Sequence, residues 1–283
     1  MRAGGDYRPR ISFGRVSLWV LVGFIIVFLV LPTLIVIPLS FSSASYFEFP
    51  PQALSLRWYQ DFFLTDVTWL SATSMSFRAG ALTALLATTL GTAAALGLTR
   101  GRFPGKQLLN TFIAMPLVIP TIVVAIAVYG LFSRLQLTGS LIGLVIGHTI
   151  LGIPYVVILV SATLRGFDES LEMAAMSLGA DRLRTFWHVT LPLIQPGVLS
   201  GALFAFLISF DELLVAMFLT RSNITLPIRM WEGLRTELTP TIAAASTMLM
   251  TGYVLVMLGA ELARRRIERM RGGSAGGEEV LES

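Results

Sequence analysis

Leu171–Pro192 reads LEMAAMSLGADRLRTFWHVTLP, a short polar segment between two long apolar runs. Asp168 stands before it as an N-cap residue, Glu169 and Glu172 fall in the first turn, and Gly179 is a natural stop. Leu171, Ala174, Ala175 and Leu178 recur at helical spacing and share one face. The small residues on that face let another backbone come close. Arg182 and Arg184 then supply charge, and Leu191-Pro192 opens the next apolar run. The pattern predicts a short helix offered to another protein.

The runs on either side predict a membrane protein. Of 283 residues, 54% are hydrophobic and 13% charged, with mean hydropathy +0.75. A soluble domain carries about 25% charged residues. A spanning helix takes about 20 predominantly apolar residues. Six segments qualify: Val16–Ser40, Ala79–Thr99, Gln107–Phe132, Leu141–Leu164, Leu193–Thr220 and Ile242–Glu261. The predicted fold class is therefore an all-α integral membrane protein with six transmembrane helices. The first run is too long for a signal peptide and no cleavage site follows at the right distance, so it is expected to be retained. With no cysteine, disulfides, thiolate nucleophiles and cysteine metal sites are excluded.

Charge sets the expected orientation. Fifteen Lys and Arg fall in the N-terminal tail, the loop after the second run, the loop holding Leu171–Pro192 and the C-terminal tail, against six in the alternate loops. The excess places both termini and the 165–192 loop in the cytoplasm. The expected organisation is a cytoplasmic tail (1–15), a first helix (16–40), a periplasmic loop (41–78), a transmembrane core (79–264) and a basic, then disordered tail (265–283). The basic tails suit anionic lipid, not nucleic acid.

Leu171–Pro192 resembles the EAA loop of ABC-transporter permeases, the cytoplasmic coupling helix that docks on the ATPase. That family's pattern is Glu-Ala-Ala, three residues, Gly, nine residues, then Ile-x-Leu-Pro. Ala174, Ala175, Gly179, Val189, Leu191 and Pro192 keep the spacing. Met173 stands where the family has Glu, and Glu172 comes one residue early, which bears on any salt bridge of that Glu and leaves the docking geometry intact. Phe47–Phe63, FEFPPQALSLRWYQDFF, and Ser209–Thr247 resemble spermidine and putrescine permeases. Permeases for opines, aminoethylphosphonate and other small solutes share much of the pattern. The resemblance implies the permease subunit of a bacterial inner-membrane importer. It implies an ABC ATPase dimer, a second homologous permease and a periplasmic substrate-binding protein as partners, and no catalysis or cofactor on this chain. An ion-coupled secondary transporter is the rival class, although the inverted repeats common in such proteins are not seen.

Candidate functional residues follow. Leu171, Glu172, Met173, Ala174, Ala175, Gly179, Arg182, Leu191 and Pro192 form the coupling loop. Asp211 and Glu212 lie near the middle of the fifth apolar run, where a charge costs about 2.5–3.5 kcal/mol and needs a polar cavity or a partner. Adjacent helical residues point about 100° apart, so one carboxylate, Asp211, is expected to face a cationic substrate and the other to anchor the helix, with Ser209 as a companion. Phe204, Phe206, Phe210 and Phe218 are candidates for cation–π contact. His148 is expected to make an interhelical hydrogen bond. No metal ligands stand at suitable spacing. Gly139, Gly143 and Gly147, and Gly197 and Gly201, form small-residue ladders that serve either a moving interface or static packing. Pro116, Pro120 and Pro154 are expected to bend their helices. Arg229, Arg235 and Trp231 lie in an outward loop, near where the family docks its binding protein. The aromatic residues of Phe41–Arg78 read mostly as an interfacial belt. Gly101–Lys106 lacks the spacing of a phosphate loop and reads as a basic turn.

Overall fold

A computed structural model describes residues 13–236 and 238–275. In chain order the helices are α1 (Phe13–Ser40), α2 (Arg57–Gln60), α3 (Val67–Arg100), α4 (Lys106–Ala114), α5 (Thr121–Arg134), α6 (Leu141–Arg165), α7 (Ser170–Ser177), α8 (Arg182–Thr185), α9 (Leu191–Asp211), α10 (Leu214–Leu219), α11 (Leu226–Thr236) and α12 (Thr241–Ala275). Among the described residues five stretches are long and apolar enough to cross a membrane: Ser17–Ser40, Val67–Arg100, Leu141–Arg165, Arg182–Asp211 and Thr241–Gly259. The arms Lys106–Leu117 and Thr121–Arg134 make a sixth if they count as one span. Most of the expected N-terminal tail (1–12) and the last residues of the C-terminal tail (276–283) lie outside the described residues.

Two expected boundaries move, each for a local reason. The second helix starts at Val67, not Ala79, so the preceding segment ends at Asp66. Ser and Thr dilute the apolar signal of 67–78. The Asp66 carboxylate nevertheless accepts the Thr68 N–H at 2.9 Å and starts the helix there. With 34 residues, α3 is about 50 Å long, more than the roughly 30 Å hydrocarbon core. The third segment bends where Pro116 and Pro120 are expected to bend it: a 3₁₀ turn at Met115–Leu117 and Pro120 before α5 leave the arms at 104°. The fifth span covers Arg182–Asp211 in place of Leu193–Thr220, because α8 runs through a π turn into α9 and the helix stops at Asp211. α6 continues unbroken through Pro154. α12 continues through Gly272–Ala275, past the point where glycine predicts disorder.

The described residues fall into two compact units. One takes the chain up to Thr65 with the segment ending at Met257. α1 is exposed along its apolar length, as a lipid-facing helix would be. At its end, Ser43 N–H donates to the Ala53 carbonyl (3.0 Å), Trp58 Nε1 to the Ser42 carbonyl (2.7 Å), and Thr241 Oγ1 to Asp61 Oδ2 (2.7 Å). The aromatic residues therefore split. Tyr46, Phe47 and Phe49 are exposed as a belt requires, whereas Trp58, Phe62 and Trp69 are buried.

The other unit contains Asp66–Thr236 and is built on α3, α6 and α9. Lipid supplies no hydrophobic drive between helices, so close van der Waals approach must hold them. The glycines permit it. A Cβ on Gly91 would lie 2.7 Å from the Val156 Cβ, and one on Gly201 3.2 Å from the Val156 Cα. One on Gly197 would fall within bond-clash range of Thr163, and one on Gly147 would sit 2.6 Å from Leu219 Cδ1. Gly147, Gly197 and Gly201 thus pack helices inside the chain. Ala87, Ala95, Val156, Val160, Leu164, Ile194 and Ala205 fill the centre at one end. Val124, Val128, Phe132, Leu144, Leu151, Val215 and Leu219 fill it at the other. After α3 the basic turn closes with Gly105 at φ +82°, and Lys106 Nζ donates to the Gly101 carbonyl at 2.9 Å.

Candidate functional site

The loop joining α6 to α9 is shaped by its own polar residues. The Asp168 carboxylate accepts the Ser170 N–H at 2.9 Å and begins α7. That bond and the Ser170 hydroxyl hold the Asp168 carboxyl below its ordinary value. At the other end Gly179 takes φ +92°. Its N–H donates to the Met176 carbonyl (3.0 Å) and the Ala180 N–H to the Ala175 carbonyl (3.1 Å). This is the paired closure that favours glycine after a helix. Asp181 then caps α8 by accepting the Arg184 N–H at 2.7 Å. Pro192 follows in the first turn of α9, where its missing N–H costs nothing.

No residue of α7 is buried. Leu171, Met173 and Met176 are exposed, and Leu178 is 91% exposed. Ala174 and Arg182 are exposed too, with Ala175 half-buried. Glu172 alone turns inward from this helix with a charge. Its Oε1 accepts the Thr190 hydroxyl at 2.7 Å and lies 3.5 Å from an Arg100 Nη. Arg100 also pairs with Glu169 and lies over the Phe167 ring at 5.4 Å. In the sequence Arg100 reads only as one of the basic residues that set orientation. Its helix-terminal position was legible, but its reach to a segment so far along the chain carried no local signal.

The carboxylates at the end of α9 are not two residues of one continuous helix, as expected. Asp211 is the last residue of α9 and is exposed; Glu212, at ψ 113°, breaks the helix. The Glu212 carboxylate accepts the Val215 N–H at 3.0 Å and so starts α10. Ser209 is buried and sits 2.8 Å from His148 Nδ1, which is the interhelical bond expected of that histidine. Phe206 and Phe210 pack with Phe77, at 5.9 and 5.0 Å between ring centroids, while Phe204 stacks on Tyr155. Phe218 meets Tyr129. Among the described residues no three His, Asp or Glu side chains converge as metal ligands would.

Arg229 is engaged within the chain. Its guanidinium pairs with Asp66 at 2.7 Å, donates to the Thr68 hydroxyl at 2.9 Å and covers the Trp69 ring at 4.9 Å. Partial burial pushes the Asp66 carboxyl up, but the bonds from Thr68 and Arg229 outweigh it and hold it below its ordinary value. Trp231 stays 40% exposed with Arg235 over it at 5.9 Å.

Residues 87–269, the stretch that contains this loop and both carboxylates, match the family described as binding-protein-dependent transport system inner membrane component. The chain belongs to that family. This transport component is 33% identical over 252 residues to the putrescine transport system permease protein PotI of Escherichia coli K12, covering 86% of this chain and 89% of PotI. It is 31% identical over 240 residues to the spermidine/putrescine permease PotC of Haemophilus influenzae, covering 84% of this chain and 93% of PotC. Its fold matches a solved chain of a bacterial ABC transporter involved in import of the acidic polysaccharide alginate. The TM-score is 0.65 at 17% identity, over 92% of this chain and 99% of that one. The binding-protein-dependent component is thus a multi-pass membrane protein and a non-catalytic subunit of an ABC importer. That membership sets aside the ion-coupled secondary transporter.

Proposed function

We propose that this chain is one of two permease subunits of a bacterial inner-membrane importer for polyamines, coupled to a pair of ATPases through the 165–192 loop. In this reading the bent pair α4–α5 completes six spans, and both termini lie in the cytoplasm with α7. The core 79–264 carries the path, a second homologous permease completes it, and a periplasmic binding protein delivers the solute. ATP binding draws the ATPases together, α7 moves with its ATPase, and the cavity turns from outward to inward. Asp211, at an exposed helix end, meets the cationic substrate. Glu212 holds the α9–α10 break, and Ser209 serves the packing of α9 through His148. Trp231 and Arg235 offer the binding protein an outward contact, with Arg229 as the bracket behind them.

The observation that carries the coupling reading is the exposed apolar face of α7 ahead of the Gly179 stop. Identity to PotI over most of both chains supports the polyamine reading. The test is uptake of labelled putrescine and spermidine by cells lacking their own polyamine importers, expressing this chain with its partner subunits, with and without Gly179→Asp. The reading expects ATP-dependent uptake that the variant loses. An assembled, ATP-hydrolysing complex that takes up neither amine contradicts the polyamine assignment and directs the search to opines and aminoethylphosphonate.

A further inference from the structure

Arg100 ends α3, and its side chain leaves that helix for the loop. It reaches Glu169 and Glu172 by charge and Phe167 by its flat face. Glu172 in turn accepts the hydroxyl of Thr190, a buried residue at the foot of α9. Three elements therefore meet at one guanidinium and one carboxylate. None of the residues of α7 is buried, and it meets α8 and the turn Phe186–Thr190 that leads into α9. A hollow of about 380 Å³ lies beside the brace, lined by Leu98, Thr99, Lys106, Leu164, Arg165 and Phe167 among others. α7 is joined to α9 through the chain itself, by way of α8. It is joined to α3 beside the hollow, through Arg100.

The position of Glu172 fits this role. One residue along a helix turns the side chain by about 100°. Met173 faces outward, and Glu172 faces Thr190 and Arg100. We infer that Arg100 is a positioning residue that transmits the movement of α7 to α3, with Glu172 as its partner inside the chain, while the exposed apolar side chains Leu171, Met173, Met176 and Leu178 are left to the ATPase. This rests on the coupling reading above. Arginine suits the task because its planar fork can serve two carboxylates at once, whereas lysine presents a single point charge.

The absence of cysteine makes a clean test possible. Cysteines placed at Ser177 on α7 and Leu90 on α3, both exposed, carry spin labels in the assembled complex with its ATPases. The distance between them is read by pulsed electron resonance without nucleotide and with trapped ATP. With Arg100 intact, one narrow distance is expected in both states. In Arg100→Gln a second, shifted distance appears on ATP binding. Arg100→Lys, which keeps one of the two pairs, shows a smaller fraction of it. Identical distributions in Arg100 and Arg100→Gln chains overturn the inference, as does a shift on ATP binding when Arg100 is intact. Gly179→Asp separates the two levels. If it leaves the ATPases bound and uptake unchanged, the coupling reading fails and the inference with it. If it uncouples the complex while Arg100→Gln changes no distance, only the inference fails.

Discussion

Gly91→Ala is expected to destabilise the chain although alanine favours helix. The new Cβ would lie 2.7 Å from both Cβ and Cγ1 of Val156 and 3.4 Å from the Ile153 carbonyl oxygen. Carbon atoms rest at about 3.5–4.0 Å, so α3 and α6 must part by about 1 Å. The Val156 Cβ is fixed to its backbone, and no rotamer moves it away. A gap of 0.5–1 Å forfeits roughly a quarter to a half of each dispersion contact across the face. Overpacking of this kind costs about 1–3 kcal/mol, against a gain of about 0.8–1.0 kcal/mol from replacing glycine in a helix. The net loss is about 1 kcal/mol. Gly97 lies on the same helix with nothing within 4 Å of a built Cβ, so Gly97→Ala collects only the gain. The two variants should differ by roughly 2 kcal/mol, or about 3 °C for a chain of 283 residues at about 2.1 cal/mol/K of unfolding entropy per residue. The assay is thermal unfolding of the chain in lipid nanodiscs, followed by circular dichroism. A Gly91→Ala midpoint at or above that of Gly97→Ala refutes the packing argument.

Three further outcomes are expected. Arg229→Ala loses the Asp66 pair and the face of Trp69, costing about 1–2 kcal/mol in the same nanodisc melt. Because Asp66 is held below its ordinary value of 3.8, the bracket is intact above that pH and lost as pH falls through the lower folded value. The gap between wild type and Arg229→Ala should therefore hold from pH 8 to 5 and narrow below about pH 4 to the part the Trp69 face contributes; a gap unchanged in acid contradicts the Asp66 pair. Glu212→Ala removes the acceptor for the Val215 N–H and should cost about 1 kcal/mol, seen as faster hydrogen exchange at the start of α10, while Glu212→Gln keeps a carbonyl oxygen and most of the protection. Asp211→Asn should lower polyamine uptake with little loss of assembled complex, and unchanged uptake kinetics would remove Asp211 from the path.

Much of the fold was legible wherever one physical signal dominated. Long apolar runs located α1, α6 and α12, and Asp168 and Gly179 bounded α7 closely because caps and stops are local chemistry. Pro116 and Pro120 announced the break in the third segment, though not its angle of 104°. The misplaced boundaries arose where composition and helicity part. Serine and threonine hid the first turns of α3. The apolar continuity of Leu193–Thr220 hid a helix end, because a carboxylate that caps α10 looks from sequence like one buried mid-helix. The least legible features were long-range pairs. Arg100 with Glu172, and Arg229 with Asp66, join residues whose charges read only as orientation or surface. Met173 in place of the family's Glu suggested a missing contact, and Glu172 instead supplies one on the inner side of α7.

The most direct test of the account asks whether α7 is the surface an ATPase covers. Leu178→Cys puts a single thiol on an otherwise cysteine-free chain, at the residue of the loop that is 91% exposed. Its labelling rate by a membrane-impermeant maleimide is measured in inverted vesicles, with and without the partner ATPases. The account predicts fast labelling without the ATPases and strong protection with them. Equal labelling in both, with the complex assembled, contradicts it.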